Sequence, residues 1–531
     1  MRFLSRRKFL KLGTLSLALG PQGYTSVKQP PSDSSVPCSF YEPELKLGHL
    51  LRDPSRLAKL WQEAKKEGDV EVLIAGGGVA GLSAARILSK KGKELLLVDP
   101  GNEWGGTASS LSHNGLELPL GAHYLVSPPD EARELLAFLT ESGIIKKSDK
   151  DLPEFDEKLL VPETINKEQS FEDGFWRPGI NDGGNGGSSK LSKFESFCSF
   201  LSTHTGSDGK RWFVVPTGKS SRDPKAIKLF QIPFLDYLKE NDLWDEVVQD
   251  VVDYACMDDY GCLAKDVSAW VGLHYFSCRP RNYLQRTLSH PSGNGYLVNK
   301  LLETISGARK RTGTILLQSR NERGHWISLL SDSNGRSYKV TSQQVVFAGK
   351  SHALPAILGN SPSGLKQKSQ LSWLVSNILL KKSAKHYASK FCWDNVISNS
   401  PSVGFIYANF LDQDPEKQAA LTHFVPVSSR LNWDLKTFYS QSLDQLQELV
   451  LSDFQRALPE LIPEFEELIF RRIAHAMSLC PPGFILPSMS DTSHQLLPGF
   501  FTANCDQYGL PLFEEAFQSG LNAAREALEM S

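Results

Sequence analysis

The sequence predicts an α/β fold with a mostly parallel sheet, and three observations predict it. Val70–Ala75 is a short, apolar, β-branched run typical of a buried parallel strand, and Leu82–Leu88 follows it with helical spacing. A second apolar run, Glu94–Val98, completes a strand–helix–strand unit. Near the other end of the sequence, Pro498–Thr502 has the pattern of a strand and Phe513–Ala524 that of a helix.

Composition limits the kinds of protein that the chain can be. The 531 residues suffice for two or three domains at about 100–200 residues each, and 40% hydrophobic with 22% charged residues is ordinary globular usage. The 58 basic and 60 acidic residues leave no basic excess, so we expect no nucleic-acid partner. No run of 18 apolar residues occurs, so no integral membrane span is predicted.

The eight cysteines predict neither a disulfide scaffold nor a zinc ribbon, because they are sparse and none forms a Cys-x-x-Cys pair. No metal site is predicted. Cys256 and Cys262 are close enough in sequence to bridge, but we expect two separate buried thiols.

The first residues are similar to a twin-arginine export signal. Paired arginines in Ser5–Lys11 precede a short, moderately apolar segment, Leu12–Leu19, which is too short to span a bilayer. Gln22–Pro37 is rich in proline, serine and polar residues and is typical of a linker. We therefore predict a signal and linker over residues 1–37, the twin-arginine export machinery as a partner, and a periplasmic or otherwise exported protein. The alternative is a basic amphipathic helix.

The first strand and helix are joined by the sequence Gly-Gly-Gly-Val-Ala-Gly. Gly76 permits the tight turn, Gly78 allows the backbone to approach a pyrophosphate, and Gly81 allows the helix to pack close to the strand. The free N–H groups at the start of the helix would face the phosphate charge. With Val79 and Ala80 between them, these glycines are the predicted phosphate-binding residues of a Rossmann-like domain.

Asp99 ends the second strand at the distance from Gly81 where an acid receives ribose hydroxyls. The alternative is an ordinary residue of a strand-end turn. Pro100 follows it, and after a short interval the sequence reads Gly105-Gly106-Thr107.

A glycine pair at this distance resembles the flavin-containing amine oxidoreductase superfamily, which includes amine oxidases, protoporphyrinogen oxidases and carotenoid desaturases. The resemblance implies FAD, bound by a Rossmann-like domain of the GR2 type with an inserted mixed α+β substrate domain. Asp99, Pro100, Gly105, Gly106 and Thr107 would then contact the cofactor. Most members follow the glycine pair with an arginine near the pyrophosphate, whereas this chain continues with Thr107-Ala108-Ser109.

The middle of the sequence resembles the second block of the same domain. Leu297–Ala308 predicts a helix, Ile315–Leu317 a strand, and Asn334-Gly335 the turn of a hairpin. Gln344–Gly349 is predicted to return to the sheet as a strand of its own. The resemblance places Leu317 near the adenine.

The end of the sequence resembles the closing block of the superfamily. Asp506 would bond the ribityl or phosphate part of the flavin. The start of the last helix, at Leu512 and Phe513, would offer backbone N–H groups to the N1/C2=O edge of the ring, where the helix dipole stabilises a reduced, anionic flavin. The three blocks predict a discontinuous FAD-binding domain over residues 69–130, 290–360 and 490–531. The substrate domain would take residues 131–289 and 361–489.

The predicted substrate domain contains one stretch rich in acidic, aromatic and histidine side chains, from Val251–Gly261 through Ser268–Phe276. These side chains suit a cationic amine. They are equally compatible with a helix cap at Asp258 and an aromatic core. Candidates for a direct role are His123, which the resemblance places near the flavin or substrate, together with His274 and Tyr275. No general base is assigned.

The predicted function is that of an FAD-dependent oxidoreductase of the amine oxidase type. It would transfer a hydride from a C–N or C–C bond of a small organic substrate to flavin N5. The alternatives are a desaturase-like or protoporphyrinogen-oxidase-like enzyme, and a redox-idle flavoprotein that acts as an isomerase or binding module. Gly121–Leu125, Asp258–Gly261 and Gly272–Phe276 are similar to segments of twin-arginine-exported bacterial oxidoreductases, a likeness that implies no substrate. The sequence does not determine the substrate, the electron acceptor, the signal cleavage site or the oligomeric state.

Overall fold

The fold was analysed in a computed structural model. The structure describes residues 36–146, 153–161, 167–179, 188–279, 286–362, 369–412, 414–490 and 492–530. The chain separates into two units, Met1–Pro37 and Cys38–Ser531, and the second unit is described below. The predicted export signal lies outside the described residues.

The strands of the described part form two large sheets and three small ones. In chain order they are β1 Cys38–Phe40, β2 Lys65–Ala75, β3 Leu95–Val98, β4 Ser110–His113, β5 Leu116–Pro119, β6 Tyr124–Val126, β7 Ile145–Lys146, β8 Glu154–Phe155, β9 Glu168–Glu172, β10 Phe175–Pro178, β11 Thr287–Ser289, β12 Arg309–Arg311, β13 Thr314–Glu322, β14 His325–Asp332, β15 Ser337–Phe347, β16 Gln370–Ser383, β17 Asp394–Ile397, β18 Gly404–Ile406, β19 Gln418–Pro426, β20 Phe465–Ser478, β21 Gln495–Leu497 and β22 Phe500–Thr502.

The helices lie between and against these sheets. They are α1 Leu45–His49, α2 Pro54–Glu63, α3 Val79–Lys90, α4 Arg133–Glu141, α5 Ser189–Thr203, α6 Pro224–Lys228, α7 Phe234–Glu240, α8 Glu246–Tyr260, α9 Ala269–Ser277, α10 Gly295–Glu303, α11 Leu354–Leu358, α12 Ala384–Tyr387, α13 Val427–Arg430, α14 Leu435–Ser440, α15 Leu443–Ala457, α16 Cys505–Tyr508 and α17 Phe513–Glu529.

The first large sheet has the order β12-β3-β2-β15-β14-β13, and β22 adds to β15. The pairs from β12 to β15 are parallel, as is β15 with β22, whereas β13, β14 and β15 form an antiparallel meander. Both faces are buried, which explains the continuous apolar runs. Ile74 and Leu97 pack against α3 and α17 on one face, and Leu73 and Leu96 pack against the meander and α11 on the other. The predicted α/β class and Rossmann-like sheet are confirmed.

Two predicted elements of this sheet differ from the structure. Gln344–Gly349 is not a separate strand, because the polar residues before it keep pairing with β2 and β15 runs unbroken over Ser337–Phe347. The helix predicted over Leu297–Ala308 covers Gly295–Glu303, and Gly307 adopts a left-handed conformation beyond its end (φ 69°).

The second large sheet has the order β1-β20-β16-β19-β18-β17-β9-β10. It is mostly antiparallel; β1 with β20 and β17 with β9 are the parallel pairs among its described strands. A helical layer with its own core, formed mainly by α5, α7, α8 and α9, lies beside it. Cys38–Phe40, which lies in neither predicted domain, is an edge strand of this sheet. The predicted domain boundaries stay a prediction.

Two further observations concern the whole described part. None of its helices combines the length and hydropathy that crossing a membrane requires. No disulfide joins any of the eight cysteines in the described part of the chain, and Cys256 and Cys262 are separate and buried as predicted.

Candidate functional site

The glycine turn after β2 is shaped by close backbone packing. A Cβ on Gly81 would lie 1.8 Å from the carbonyl oxygen of Gly76, and a Cβ on Gly76 would lie 2.7 Å from the backbone of Ala348. Gly76 also has a φ of 116°, which disfavours other residues. Gly78 is the N-cap of α3 and offers no side chain to its first N–H groups. These groups are therefore available to an anion.

Asp99 fixes the shape of the same turn. Its Oδ2 accepts a hydrogen bond from the Gly77 N–H at 2.6 Å, and its Oδ1 accepts one from the Gly101 N–H at 2.8 Å. Burial raises the pKa of Asp99 to about 6. The half-buried Pro100 follows. The contact of Asp99 with a ribose stays a prediction, since both its oxygens already accept backbone hydrogen bonds.

The second glycine turn lies directly against the first. The Gly105 N–H donates to the Gly77 carbonyl at 2.8 Å, and Gly78 and Gly105 form an isolated parallel bridge. Gly105 and Gly106 have φ values of 116° and 60°. The Ala122 N–H donates to the Thr107 carbonyl at 2.8 Å and so attaches the following segment to this turn. The two turns form one cradle with little room for side chains, which suits a pyrophosphate.

The last helix begins beside this cradle. Leu512 is the N-cap of α17, and no side chain caps its first N–H groups. Asp506 is buried and accepts from Lys350 Nζ at 3.1 Å and from the Ser351 N–H at 3.4 Å. Burial opposes the charge on Lys350, but Asp506 overcomes this effect and raises the lysine pKa. The predicted contact of Asp506 with the ribityl chain or phosphate stays a prediction.

Leu317 occupies the first sheet but not the cradle. It is fully buried in an apolar cluster with Leu47, Leu57 and Leu329. The start of its strand does lie near Asp99, because the Thr314 N–H donates to the Asp99 carbonyl at 2.8 Å. Its predicted place near the adenine stays a prediction.

A cavity of about 250 Å³ begins at Thr107, beside the second glycine turn, and extends to the second sheet and α8. The cofactor-side wall includes Thr107, Gly121, Ala122, Leu512 and Phe513. The remaining wall is aromatic, apolar and acidic, and its residues are His123, Tyr124, Leu125, Val126, Asp258, Asp259, Tyr275, Arg279, Asn294, Trp373, Val375, Phe424, Ile473, Ala476, Met477, Pro511 and Glu514.

Asp258 and Asp259, called here the acid pair, share one hydroxyl group. The Tyr124 hydroxyl lies 2.8 Å from Asp258 Oδ2 and 3.0 Å from Asp259 Oδ1. A phenol has one proton to donate, so it can satisfy only one of the two carboxylates. Burial raises the pKa of Asp258 to about 6, and burial together with Asp258 raises that of Asp259 to about 7. The acid pair therefore holds a proton readily near neutral pH.

The acidic character of this wall extends behind the cavity. Tyr254 donates to Asp394 Oδ2 at 2.9 Å, and burial, followed by the charge of Asp258, raises the pKa of Asp394. Arg279 lies at the cavity wall and is paired with Glu514. A positively charged ligand would relieve the repulsion between the carboxylates.

Of the three residues predicted to act directly on the flavin or substrate, two line the cavity and one does not. His123 lines the cavity among the rings of Tyr124 and Phe424, whose centroids lie 4.9 and 4.7 Å away, and burial lowers its pKa to about 3. Tyr275 also lines the cavity. His274 does not: it is buried, its Nε2 lies 2.9 Å from the Val214 carbonyl, and it stacks on Trp270.

Asp258 is not a helix cap, so this part of the alternative interpretation of its sequence is wrong. It lies inside α8, which Asp245 caps through the Val248 N–H at 2.8 Å and which Gly261 ends. The aromatic core of that same interpretation does exist, around Trp270.

A second cavity, of about 340 Å³, shares only His123 with the first. Its wall is largely polar and includes Glu117, Asp156, His290 and Lys417. His123 thus separates a polar space from the space beside the cradle.

Several residues of this region carry no local signal in the sequence. Trp373 and Phe424 come from strands of the second sheet, more than 200 residues from the cradle in sequence. Arg471 reaches Ser109, just after the second glycine turn. Only the sheet pairing brings them to the site, so no spacing could have revealed them.

Comparisons with known proteins agree with this geometry. The family description "NAD(P)-binding Rossmann-like domain" matches residues 74–141. Curated relatives include the all-trans-retinol 13,14-reductases of Homo sapiens, 34% identical over 80 residues (14% of this chain and 13% of the relative), and of Macaca fascicularis, 39% identical over 56 residues (10% and 9%). The match thus spans only about a tenth of the length of these relatives.

Similar solved structures cover most of the chain. Putrescine oxidase bound to putrescine is 13% identical, with a TM-score of 0.61 over 87% of this chain and 100% of that one. Cyclohexylamine oxidase from Brevibacterium oxydans is 13% identical, with a TM-score of 0.61 over 87% and 98%. A putative protoporphyrinogen oxidase from Exiguobacterium sp. is 16% identical, with a TM-score of 0.59 over 88% and 100%. The fold predicted from the resemblance is confirmed.

Proposed function

We propose that this chain, which shares its fold with amine oxidases and a putative protoporphyrinogen oxidase, is an FAD-dependent oxidoreductase that acts on a cationic amine. One observation carries the proposal. Thr107 of the second glycine turn, the uncapped start of α17 and the acid pair with Tyr124 all line one cavity, and the first glycine turn packs directly against the second. The first two features suit a dinucleotide bearing a flavin, and the third suits a positively charged substrate.

The residues at the cradle fit FAD. The missing Cβ atoms of Gly76 and Gly81 allow the turn to pack against Ala348 and the helix to pack against the turn, and Gly78 starts α3 without a side chain of its own. The N–H groups after Gly78 would hold the phosphates, and those after Leu512 would face the ring. When bound, FAD supplies a hydride acceptor, which no side chain can replace.

The residues of the chain would perform the remaining tasks. An ammonium group must lose a proton before the adjacent C–H bond can give up a hydride. The acid pair, with the pKa of Asp259 near 7, attracts the ammonium group and can take that proton. Tyr124 fixes both carboxyl groups from one side. Trp373 and Phe424 exclude water from the apolar part of the substrate.

A second candidate function is dehydrogenation or reduction of a carbon–carbon bond. The apolar side of the cavity, with Val375, Ile473 and Met477, favours it, and the short matches to retinol reductases agree. The acid pair favours the amine, because an ammonium group would stabilise the ionised form of both carboxyl groups, which a neutral substrate does not do. A redox-idle flavoprotein would need a cavity closed off from the ring, whereas this cavity adjoins the start of α17.

Anaerobic absorption spectroscopy tests the proposal. The purified protein is reconstituted with FAD and titrated with monoamines, diamines and neutral alkenes of similar size. Bleaching of the oxidised flavin band by an amine supports the proposal. If Asp259→Asn needs a tenfold or higher amine concentration for half-maximal bleaching, the acid pair recognises the amine. Bleaching by neutral compounds only, or bound FAD that no compound reduces, refutes the amine activity. A chain that binds no FAD refutes the whole proposal.

We also propose that the protein is exported through the twin-arginine machinery to the periplasm. The paired arginines of Ser5–Lys11 and the short apolar segment after them support this proposal. Fusion of residues 1–40 to a reporter that is active only after folded export would test it. Export that persists when Arg6 and Arg7 are replaced by lysine would refute it.

A further inference from the structure

Two adjacent buried arginines on β20 bind the segment just after residue 37, and only one of them reaches the cofactor cradle. Arg471 and Arg472 are 8% and 9% exposed and point to opposite faces of the strand. Arg471 pairs with Glu44 at 3.2 Å, and Arg472 pairs with Glu42 through two contacts at 2.6 and 3.0 Å.

Arg471 joins two of the three segments that form the cofactor-side wall of the cavity, those that contain Thr107 and Gly121. Its Nη1 donates to Ser109 Oγ at 2.8 Å and to the Leu120 carbonyl at 3.2 Å. Ser109 Oγ in turn donates to the Gly106 carbonyl at 2.8 Å, inside the second glycine turn. Thr107 and Gly121, which lie on the two segments, face the cavity.

The arginine is not fully satisfied by these contacts. Its Nε is buried and has no hydrogen-bond partner among the described residues, and the same holds for Oε2 of Glu44. A buried ion pair with incomplete hydrogen bonds is costly to the folded state, so stability alone is a weak explanation for this one. Arg472, in contrast, bonds Glu42 with two atoms, donates to the Tyr439 carbonyl at 3.1 Å and lies 4.0 Å from the ring centroid of Phe40.

We propose that Arg471 is a positioning residue for the cofactor, which it serves by holding the second glycine turn through Ser109 and by coupling that turn to the segment around Glu44. This inference rests on the proposed FAD site. The turn pairs with Gly77 and Gly78 of the first glycine turn, so a shift of the turn moves both sides of the pyrophosphate cradle. Residues 38–44 therefore belong to the cofactor site, although they precede the Rossmann-like sequence.

Variants of the two arginines form a matched test. Arg471→Gln and Arg472→Gln each remove one buried ion pair with the same segment. FAD is removed from the full protein, and its dissociation constant is measured by flavin fluorescence. We expect Arg471→Gln to weaken FAD binding about 10-fold or more, because it loses charged hydrogen bonds, and Arg472→Gln to stay within about twofold of the wild type.

Hydrogen exchange of residues 38–44 provides a readout besides affinity. We expect FAD to slow exchange there in the wild type and in Arg472→Gln but not in Arg471→Gln. Equal FAD affinity in wild type and Arg471→Gln, or equal losses in both arginine variants, overturns the inference.

A gentler variant covers the case in which Arg471→Gln does not fold. Ser109→Ala keeps the ion pair and removes only its link to the turn, and we expect FAD binding to weaken about fivefold. Unchanged FAD binding in Ser109→Ala overturns the inference. A wild-type protein that binds no FAD refutes the proposed function itself, and the inference with it.

Discussion

Replacement of Asp259 by asparagine is expected to stabilise the FAD-free protein at high pH. At high pH both carboxyl groups of the acid pair are ionised and lie side by side in the cavity wall. The Tyr124 hydroxyl can donate its one proton to only one of them, so the other carboxylate receives no hydrogen bond from it. Asparagine has nearly the same shape and no charge. The Tyr124 hydroxyl can then donate to Asp258 alone.

The magnitude follows from the raised pKa. The shift of Asp259 from 3.8 to about 7 corresponds to about 4 kcal/mol, at 1.36 kcal/mol for each pKa unit. Asp259 is only half-buried, so solvent screens part of this cost and we expect a gain of about 2 kcal/mol. A raised carboxyl pKa destabilises the folded state only where the group is ionised in the unfolded chain. The gain is therefore absent below pH 4, grows between about pH 4 and 7, and is complete above pH 7.

Urea unfolding of the FAD-free protein at pH 5 and pH 8 measures this gain. The matched control is Asp453→Asn. Asp453 is also buried, but it bonds His423 Nε2 at 2.9 Å, Ser400 and Ser402. Burial opposes its charge, yet these partners hold its pKa below the usual value, so we expect this variant to lose about 1–3 kcal/mol at pH 8. A loss of stability in Asp259→Asn at pH 8, or a gain as large at pH 5 as at pH 8, would refute the reasoning.

Three further outcomes are expected. Gly81→Ala should purify without FAD, because its Cβ would lie 1.8 Å from the Gly76 carbonyl oxygen. Gly48→Ala is the control: its Cβ would have no atom within 4 Å, so this variant should retain FAD as judged by absorbance. Retention of FAD by both variants would contradict this expectation. Tyr124→Phe removes the hydroxyl that lowers the pKa of both Asp258 and Asp259. The midpoint of the pH profile of amine-dependent flavin bleaching should therefore rise by about one pH unit. An unchanged midpoint would show that the acid pair does not cause the pH dependence. All eight cysteines should react with a thiol reagent after denaturation without reductant. Fewer than eight adducts by mass spectrometry would contradict the absence of disulfides.

The cradle could be predicted from the sequence because its determinants are local. Gly81 contacts the Gly76 carbonyl and Asp99 accepts from the Gly77 N–H within one strand–helix–strand unit, so their spacing in the sequence indicates their relation. The start of α17 was predicted for the same reason, since a strand, a turn and a helix follow one another there.

The substrate side could not be predicted in the same way. The composition around Asp258 suggested a cationic ligand, but its pairing with Tyr124 depends on how α8 lies against β6, 134 residues away. His274 lies on the next helix, α9, and its imidazole was an equally plausible candidate for a role in the site. Its side chain nevertheless faces the helical core and not the cavity. Which face of a helix meets a cavity is decided by the layers packed around it, and local spacing in the sequence does not reveal that packing.

The order in which the ribosome makes this chain differs from the order in which the cradle is completed. The first glycine turn is synthesised early, but α3, which starts from it, packs against α17: a Cβ on Gly520 would lie 2.0 Å from the Ala80 carbonyl oxygen, and Ser83 donates to the Phe517 carbonyl at 2.7 Å. The sheet also waits for β22, which pairs with β15 at Phe347. A nascent chain that ends before residue 500 therefore has the phosphate-binding sequence without its supporting helix and strand. Cofactor capture in this architecture therefore requires the strand and the helix that follow residue 499.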